Sequence, residues 1–191
     1  MVGILLAAGF SRRFGSANKL LHCLPDGRPI ALASGENLIK AMPISIAVVR
    51  PENKELAELL LNAGLKVVFC SDDDQQMADS LSTAIRFSSN FEAVNEGFVI
   101  ALADMPYIQS ATISEVATKL NSGSSIVIPT YNGQRGHPVG FSARFRSELE
   151  NLRGDEGARS IIKRYPDEVH LLPCEDAGIL ADIDTQADLK S

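Results

Sequence analysis

Residues 3–21 read GILLAAGFSRRFGSANKLL. An apolar run, Val2–Ala7, ends at Ala8 and Gly9; Arg12, Arg13, Gly15 and Lys19 follow before leucines resume. A short, nearly continuous apolar run closed by glycine is the pattern of a strand covered on both faces. In open parallel sheets, ligands bind beyond the carboxyl ends of the strands, so the glycine-and-cation loop stands at a ligand edge. Gly9 and Gly15 permit positive φ and close backbone approach. Successive free N–H groups form an anion cradle, to which Arg12, Arg13 and Lys19 add charge. The loop therefore reads as a phosphate holder. A solvated basic turn would leave two glycines and three cations directly after the first strand unexplained. Neither common phosphate loop fits: five residues separate Gly9 from Gly15 and Ser16 follows, which is not a Walker A spacing, and no G-x-G-x-x-G string occurs.

Further along the chain, short apolar runs alternate with helical patterns. Ile44–Val49, Lys66–Cys70, Phe98–Ala103 and Ser125–Pro129 read as strands. Ile30–Ala41, Asn53–Ala63, Met77–Ser88 and Ser110–Leu120 read as helices, with Leu56, Leu59, Leu60 and Ala63 at helical spacing. Strand–helix alternation predicts an α/β fold: a mostly parallel central sheet with helices on both faces. The pattern breaks after Pro129, where TYNGQRGHPVGFS predicts a loop and then a strand over Pro138–Phe141 of antiparallel pairing. Ala143–Leu152 and Glu156–Arg164 read as helices, and Phe141, Phe145 and Leu149 as core. Glu168–Pro173 and Ile179–Asp182 read as late strands, and TQADLK as a last helical turn capped by Thr185.

A chain of 191 residues fits one domain, 1–191. With 45% hydrophobic and 22% charged residues, its composition is that of an ordinary globular protein. A net charge of −6 excludes a broad nucleic-acid footprint but not a small anionic ligand held by one basic loop. The N-terminus lacks a signal-peptide pattern, and no apolar run reaches a membrane span. Three widely spaced cysteines, Cys23, Cys70 and Cys174, read as reduced thiols, each a small buried hydrophobe, in a cytoplasmic protein.

Acidic residues meet the same edge. Phe98–Ala103 runs into Asp104-Met105-Pro106, and Pro106 turns the chain, holding Asp104 at the strand's carboxyl end. Such a carboxylate suits Mg²⁺, which takes one or two carboxylates plus phosphate oxygens. Asp182 and Asp184 flank Ile183 in a stretch that reads as extended. Asp184, ending the strand, is the one expected to meet Asp104. Asp72-Asp73-Asp74 reads as a solvated turn. His137, between Gly136 and Pro138, reads as a rigid exposed turn that positions a ligand. His22 and His170 read as surface residues, and no Cys/His spacing suggests zinc.

Six motifs in order resemble the MobA-like nucleotidyltransferases, and among them the molybdenum cofactor cytidylyltransferases: LAAGFSRRFG with Lys19, MADSL (77–81), ALADMP (101–106), RGHPVGFS (135–142), GDEGAR (154–159) and DIDT (182–185). The resemblance spans nearly the whole chain and implies a Rossmann-like fold. The implied activity is transfer of a nucleoside monophosphate from an NTP to an acceptor phosphate, with Mg²⁺ as cofactor and pyrophosphate released. It implies that Leu6, Ala7, Ala8, Gly9 and Ser11 line the nucleoside, with Ser80 and Leu81 near it. Arg13 and Lys19 would grip the triphosphate, and Asp104 would carry the metal with Asp184. Arg135, Gly136, His137, Pro138, Gly154, Asp155 and Arg159 would face the acceptor. Ala8, where the guanylyl branch has glycine, points to CTP; the implied acceptor is the terminal phosphate of molybdopterin, and an apo-molybdoenzyme is a further implied partner. Two departures stand out: three residues separate Gly15 from Lys19 where the subgroup has two, and Gln76 replaces a glycine before MADSL.

An acceptor phosphate is already an anionic nucleophile, so catalysis reduces to positioning and charge neutralisation by Arg13, Lys19, Asp104 and the metal. The competing readings are the same transfer with GTP or another phosphorylated acceptor, a non-catalytic cofactor carrier, and an NAD-linked oxidoreductase. The last is disfavoured by the glycine spacing.

Overall fold

The computed structural model describes residues 1–9, 18–71, 77–154 and 156–190. Its first half alternates as expected: β1 (Val2–Leu6), α1 (Ile30–Ala41), β2 (Ser45–Val49), α2 (Lys54–Asn62), β3 (Lys66–Phe69), α3 (Met77–Phe87), β4 (Phe98–Leu102), α4 (Ser110–Asn121) and β5 (Ile126–Tyr131). Every one of these ends lies within two residues of its expected position. The remainder comprises β6 (Gln134–Arg135), β7 (Val139–Phe141), α5 (Arg146–Glu150), α6 (Arg159–Arg164) and β8 (Val169–Pro173).

The strands form one sheet in the order β3-β2-β1-β4-β7-β5, with β6 and β8 also pairing with β5. β1 pairs in parallel with β2 and β4, β2 with β3, and β5 with β8. β7 runs antiparallel between β4 and β5, as the break after Pro129 predicts. Alternate strand residues serve two cores, which is why the strands read as unbroken apolar runs. Leu5, Ala47, Val49, Val99 and Ala101 pack with Leu38, Leu60 and Val116 of α1, α2 and α4. Ile4, Ile46, Val48, Phe98 and Ile100 pack with Leu81 and Ile85 of α3, Leu149 of α5 and Ile161 of α6. Helices thus cover both faces. Phe141, Phe145 and Leu149 are buried, the two rings edge to face at 5.9 Å.

The last third departs from the expectations in three places. Glu156–Arg164 contracts to α6, because Gly157 takes φ +53, a left-handed conformation that ends helical continuity on its amino side. Ala143–Leu152 splits into a 3₁₀ turn over Ala143–Phe145 followed by α5. Ile179–Asp182 is not a strand. Asp176 accepts a hydrogen bond from Gly178 N and coils Ala177–Leu180 into a 3₁₀ turn, after which residues 181–184 are irregular. Of the cysteines, Cys70 is buried and Cys174 half-buried, but Cys23 is exposed, against expectation. Among the described residues no helix is long and apolar enough to cross a membrane.

Candidate active site at the carboxyl ends of β1 and β4

β1 has β2 on one side and β4 on the other, so the strand order reverses between β1 and β4. A crevice opens at such a reversal, beyond the carboxyl ends. Leu6, Ala7, Ala8 and Gly9 lead β1 into it. Ala7 N donates to Val48 O (3.0 Å) and Ala103 N to Leu6 O (3.1 Å), so the two exits are tied into the sheet. Gly9 does not use the positive φ that glycine permits, and a Cβ there would meet no described atom within 4 Å. Ser11 and Arg13, with Arg12 and Gly15, lie outside the described residues, as do Asp72–Asp74 and Gln76.

Arg50 is a residue that sequence reading missed. It is buried at the exit of β2 and donates from Nε to Ala8 O (3.0 Å), holding the start of the loop. The available signal was a charged residue directly after a wholly buried strand, at the same edge as the glycine loop.

Lys19 opens a short 3₁₀ turn, Lys19–Leu21, whose first N–H groups are capped by Asn18 Oδ1 on Leu20 N (3.1 Å). Its Nζ donates to Asp104 Oδ2 (2.9 Å) and to Asp184 Oδ1 (3.2 Å). Burial pulls the Lys19 ammonium's pKa down, but hydrogen bonds and attraction from Asp104 and Asp184 outweigh it and hold the pKa above the usual lysine value. Asp104 lies in the turn closed by Met105 N on Leu102 O (3.3 Å). Asp184 reaches the same ammonium because Ile183, buried, donates its N–H to Asp104 O (2.9 Å). Asp188 Oδ2 receives Asp184 N (3.0 Å), Thr185 N (2.7 Å) and Thr185 Oγ1 (2.9 Å). The expected Thr185 cap is thus inverted, with the later carboxylate accepting from the earlier residue, as in one half of a capping box.

Beside Asp104 opens a cavity of about 480 Å³, walled by Arg135, Gly136, His137, Arg159, Lys163 and Asp182 among others. A narrower chamber of about 150 Å³ shares His137 and Arg159 and adds Leu6, Leu81 and Met77. Ser80 is buried on α3, one residue before Leu81. Gly154 lines neither space, and Asp155 is not described.

His137 owes its place to an irregular ladder. Thr130 faces Arg135 but Val127 faces Gly140, so the returning chain carries two extra residues over that stretch. A bulge of this kind redirects a side chain out of the pleat. Gly136 is required here, since a Cβ would meet the carbonyl of Ile179. His137 is not the exposed turn that its glycine and proline neighbours suggest. It is half-buried, its Nδ1 is enclosed without a partner among the described residues, and its N–H donates to Ile179 O (3.0 Å). Desolvation, and then the nearby Arg159 charge, push its pKa down to about 4, so the ring is neutral at physiological pH.

The arrangement can neutralise and orient an anionic chain of phosphates. Two carboxylate oxygens that both reach one ammonium are at most about 6 Å apart. Converging hard oxygen donors fit Mg²⁺. Among the described residues there is no group of three or more His, Cys, Asp or Glu able to hold a metal, so phosphate and water oxygens would complete its shell.

Residues 3–169 match the sequence profile of the MobA-like NTP transferase domain. The chain is 28% identical to purine catabolism protein PucB of Bacillus subtilis (strain 168), covering 97% of this chain and 92% of PucB. It is 26% identical to nicotine blue oxidoreductase of Paenarthrobacter nicotinovorans, covering 97% and 92%. Among solved structures, the rv0371c homolog from Mycobacterium sp. strain JC1 superposes with a TM-score of 0.80 at 27% identity, over 98% of this chain and 91% of that one.

Proposed function

The chain belongs to the MobA-like NTP transferase family, and on that premise we propose that it transfers CMP from CTP to the terminal phosphate of molybdopterin carrying molybdenum, releasing pyrophosphate. The observation that carries the proposal is the Lys19 ammonium between Asp104 and Asp184 at the β1/β4 crevice. Such a cluster is suited to phosphates and a divalent ion rather than to hydride transfer. We assign Asp104 and Asp184 to Mg²⁺; when bound, the ion supplies charge neutralisation at the triphosphate. Lys19 and Arg13 grip the phosphates, Leu6, Ala7, Ala8, Gly9 and Ser11 meet the nucleoside, and Ser80 and Leu81 border it.

The acceptor occupies the cavity of about 480 Å³. Its wall of Arg135, Arg159 and Lys163 suits an anionic ligand, and the enclosed Nδ1 of His137 offers a hydrogen-bonding position to it. Gly136 and Pro138 shape this wall, and we assign Gly154 and Asp155 to the same acceptor. No strong base is needed, because the attacking phosphate oxygen is already anionic, and in-line approach to the α-phosphorus is set by binding. A neutral His137 fits this, orienting the acceptor without taking its proton. We place the reaction in the cytoplasm, as the odd number and wide spacing of the three cysteines suggest, and take an apo-molybdoenzyme as the product's recipient.

The test incubates the protein with each NTP in turn, Mg²⁺ and molybdenum-loaded molybdopterin, reading pyrophosphate and the dinucleotide. CTP should give both; release with GTP alone corrects the donor, and release with none defeats the reading. The name of one relative, nicotine blue oxidoreductase, favours a second reading as a redox enzyme. Consumption of NADH or NADPH with an aromatic acceptor would establish it.

A further inference from the structure

Residues 176–184 form a strap after β8 that holds no strand and only one turn of 3₁₀ helix, Ala177–Leu180. Both halves of the site hang from it. On the acceptor side, Ile179 O accepts from His137 N (3.0 Å). On the phosphate side, Ile183 N donates to Asp104 O (2.9 Å) and Asp184 Oδ1 receives Lys19 Nζ (3.2 Å). The strap has no slack: a Cβ on Gly178 would meet the carbonyl of Tyr107, and one on Gly136 the carbonyl of Ile179.

At the head of the strap, Asp176 is 4% exposed. Its Oδ1 accepts from Gly178 N (2.9 Å), and its Oδ2 from Gln109 N (2.8 Å) and Thr112 Oγ1 (2.7 Å). Gln109 precedes α4 and has no side-chain cap of its own, so a carboxylate from the far end of the chain satisfies that helix start. Among the described residues Asp176 forms no ion pair. A buried carboxylate is costly unless donors meet it, and three donors from two separate segments do so here. The bonds fix the strap against α4, next to the turn 104–108 that carries Asp104.

We propose that Asp176 is the positioning residue of this site: its carboxylate clamps the strap to the start of α4 and so sets Asp184 and His137 in place together. It touches no substrate. The proposal rests on the function given above, and two readouts separate the failure of one from the failure of the other. The first is NMR amide exchange of His137 and Ile183 in the metal-free protein. Asp176→Asn presents an NH₂ where donors converge, and should speed both amides about tenfold while leaving the Ile4 amide of β1 unchanged. The second is Mn²⁺ affinity measured with a non-hydrolysable CTP analogue, expected to fall about tenfold. Thr112→Val, which removes one donor, should give about threefold in each and serves if Asp176→Asn fails to fold. Unchanged exchange overturns the clamp. Faster exchange with unchanged Mn²⁺ affinity overturns the positioning role, leaving Asp176 merely structural. A wild-type protein that binds neither Mn²⁺ nor the analogue defeats the transferase reading instead, and the exchange measurement still decides the clamp.

Discussion

Replacing Lys19 by Met tests the centre of the site. The ammonium lies 2.9 Å from Asp104 and 3.2 Å from Asp184. At an effective dielectric near 20, each contact carries roughly 5 kcal/mol of attraction before desolvation. The carboxylates are 26% and 37% exposed, so water screens them and the lysine's burial offsets more; a net loss of about 1–2 kcal/mol remains. For a chain of this size that is roughly 3–6 °C in Tm. The variant also leaves two carboxylates at most about 6 Å apart, repelling by roughly 3 kcal/mol or more at the same dielectric. Mg²⁺ should relieve this, so the variant regains most of its Tm in millimolar Mg²⁺, whereas the wild type, already carrying a cation there, responds little. Mn²⁺ titration without nucleotide should show tighter binding to the variant, while its turnover with CTP falls about a hundredfold for want of the phosphate grip. A variant that melts like the wild type, with the same response to Mg²⁺, would refute the shared cluster.

Asp104→Asn should retain the fold by circular dichroism and lower pyrophosphate release at least about a hundredfold; unchanged release places the metal elsewhere. His137 carries a pH signature. Its folded pKa, about 4, lies below the unfolded value of 6.5. The neutral ring therefore stabilises the fold fully above pH 6.5, and that contribution is lost as pH falls from 6.5 towards 4. His137→Gln should flatten this limb of the Tm–pH curve, worth about 1–3 kcal/mol, and an NMR titration of the wild type should show no imidazolium at pH 6. Gly136→Ala forces a methyl onto the carbonyl of Ile179; chemical denaturation should reveal about 1–3 kcal/mol of destabilisation, and KM for the acceptor should rise more than KM for CTP. Arg50→Met removes the bond to Ala8 O and should raise KM for CTP about tenfold with kcat less affected.

The parallel half of the fold was legible because its strands are buried on both faces and its helices carry clean apolar stripes. Leu5 and Ile4, neighbours in sequence, serve opposite cores. The meeting of Lys19 and Asp104 followed from strand ends alone. The preference for Asp184 over Asp182 rests on a strand ending there, and no strand forms over 179–184. What separates the two is the buried Ile183, whose N–H grips Asp104 O and turns Asp184 towards Lys19 while Asp182 lines the cavity. His137 misled because Gly136 and Pro138 suggest an exposed turn, yet its cover, the turn 177–180, lies some forty residues later. Asp176 gave no signal: one acid between Glu175 and Ala177 resembles any surface residue until Gln109 and Thr112 come round to meet it.

The reversed direction of β7 shapes how such a pocket changes over evolutionary time. A strand running with its neighbours delivers only its exit to the ligand rim, whereas β7 delivers its entrance, Gly136–Pro138. The hairpin that leads into it, over Tyr131–Gln134, ends at the same rim, with Asn132 and Gly133 at positive φ. Lengthening or reshaping that tip would remodel one side of the cavity while the phosphate-binding strand exits stay untouched, so descendants could trade one acceptor for another and keep the same nucleotide.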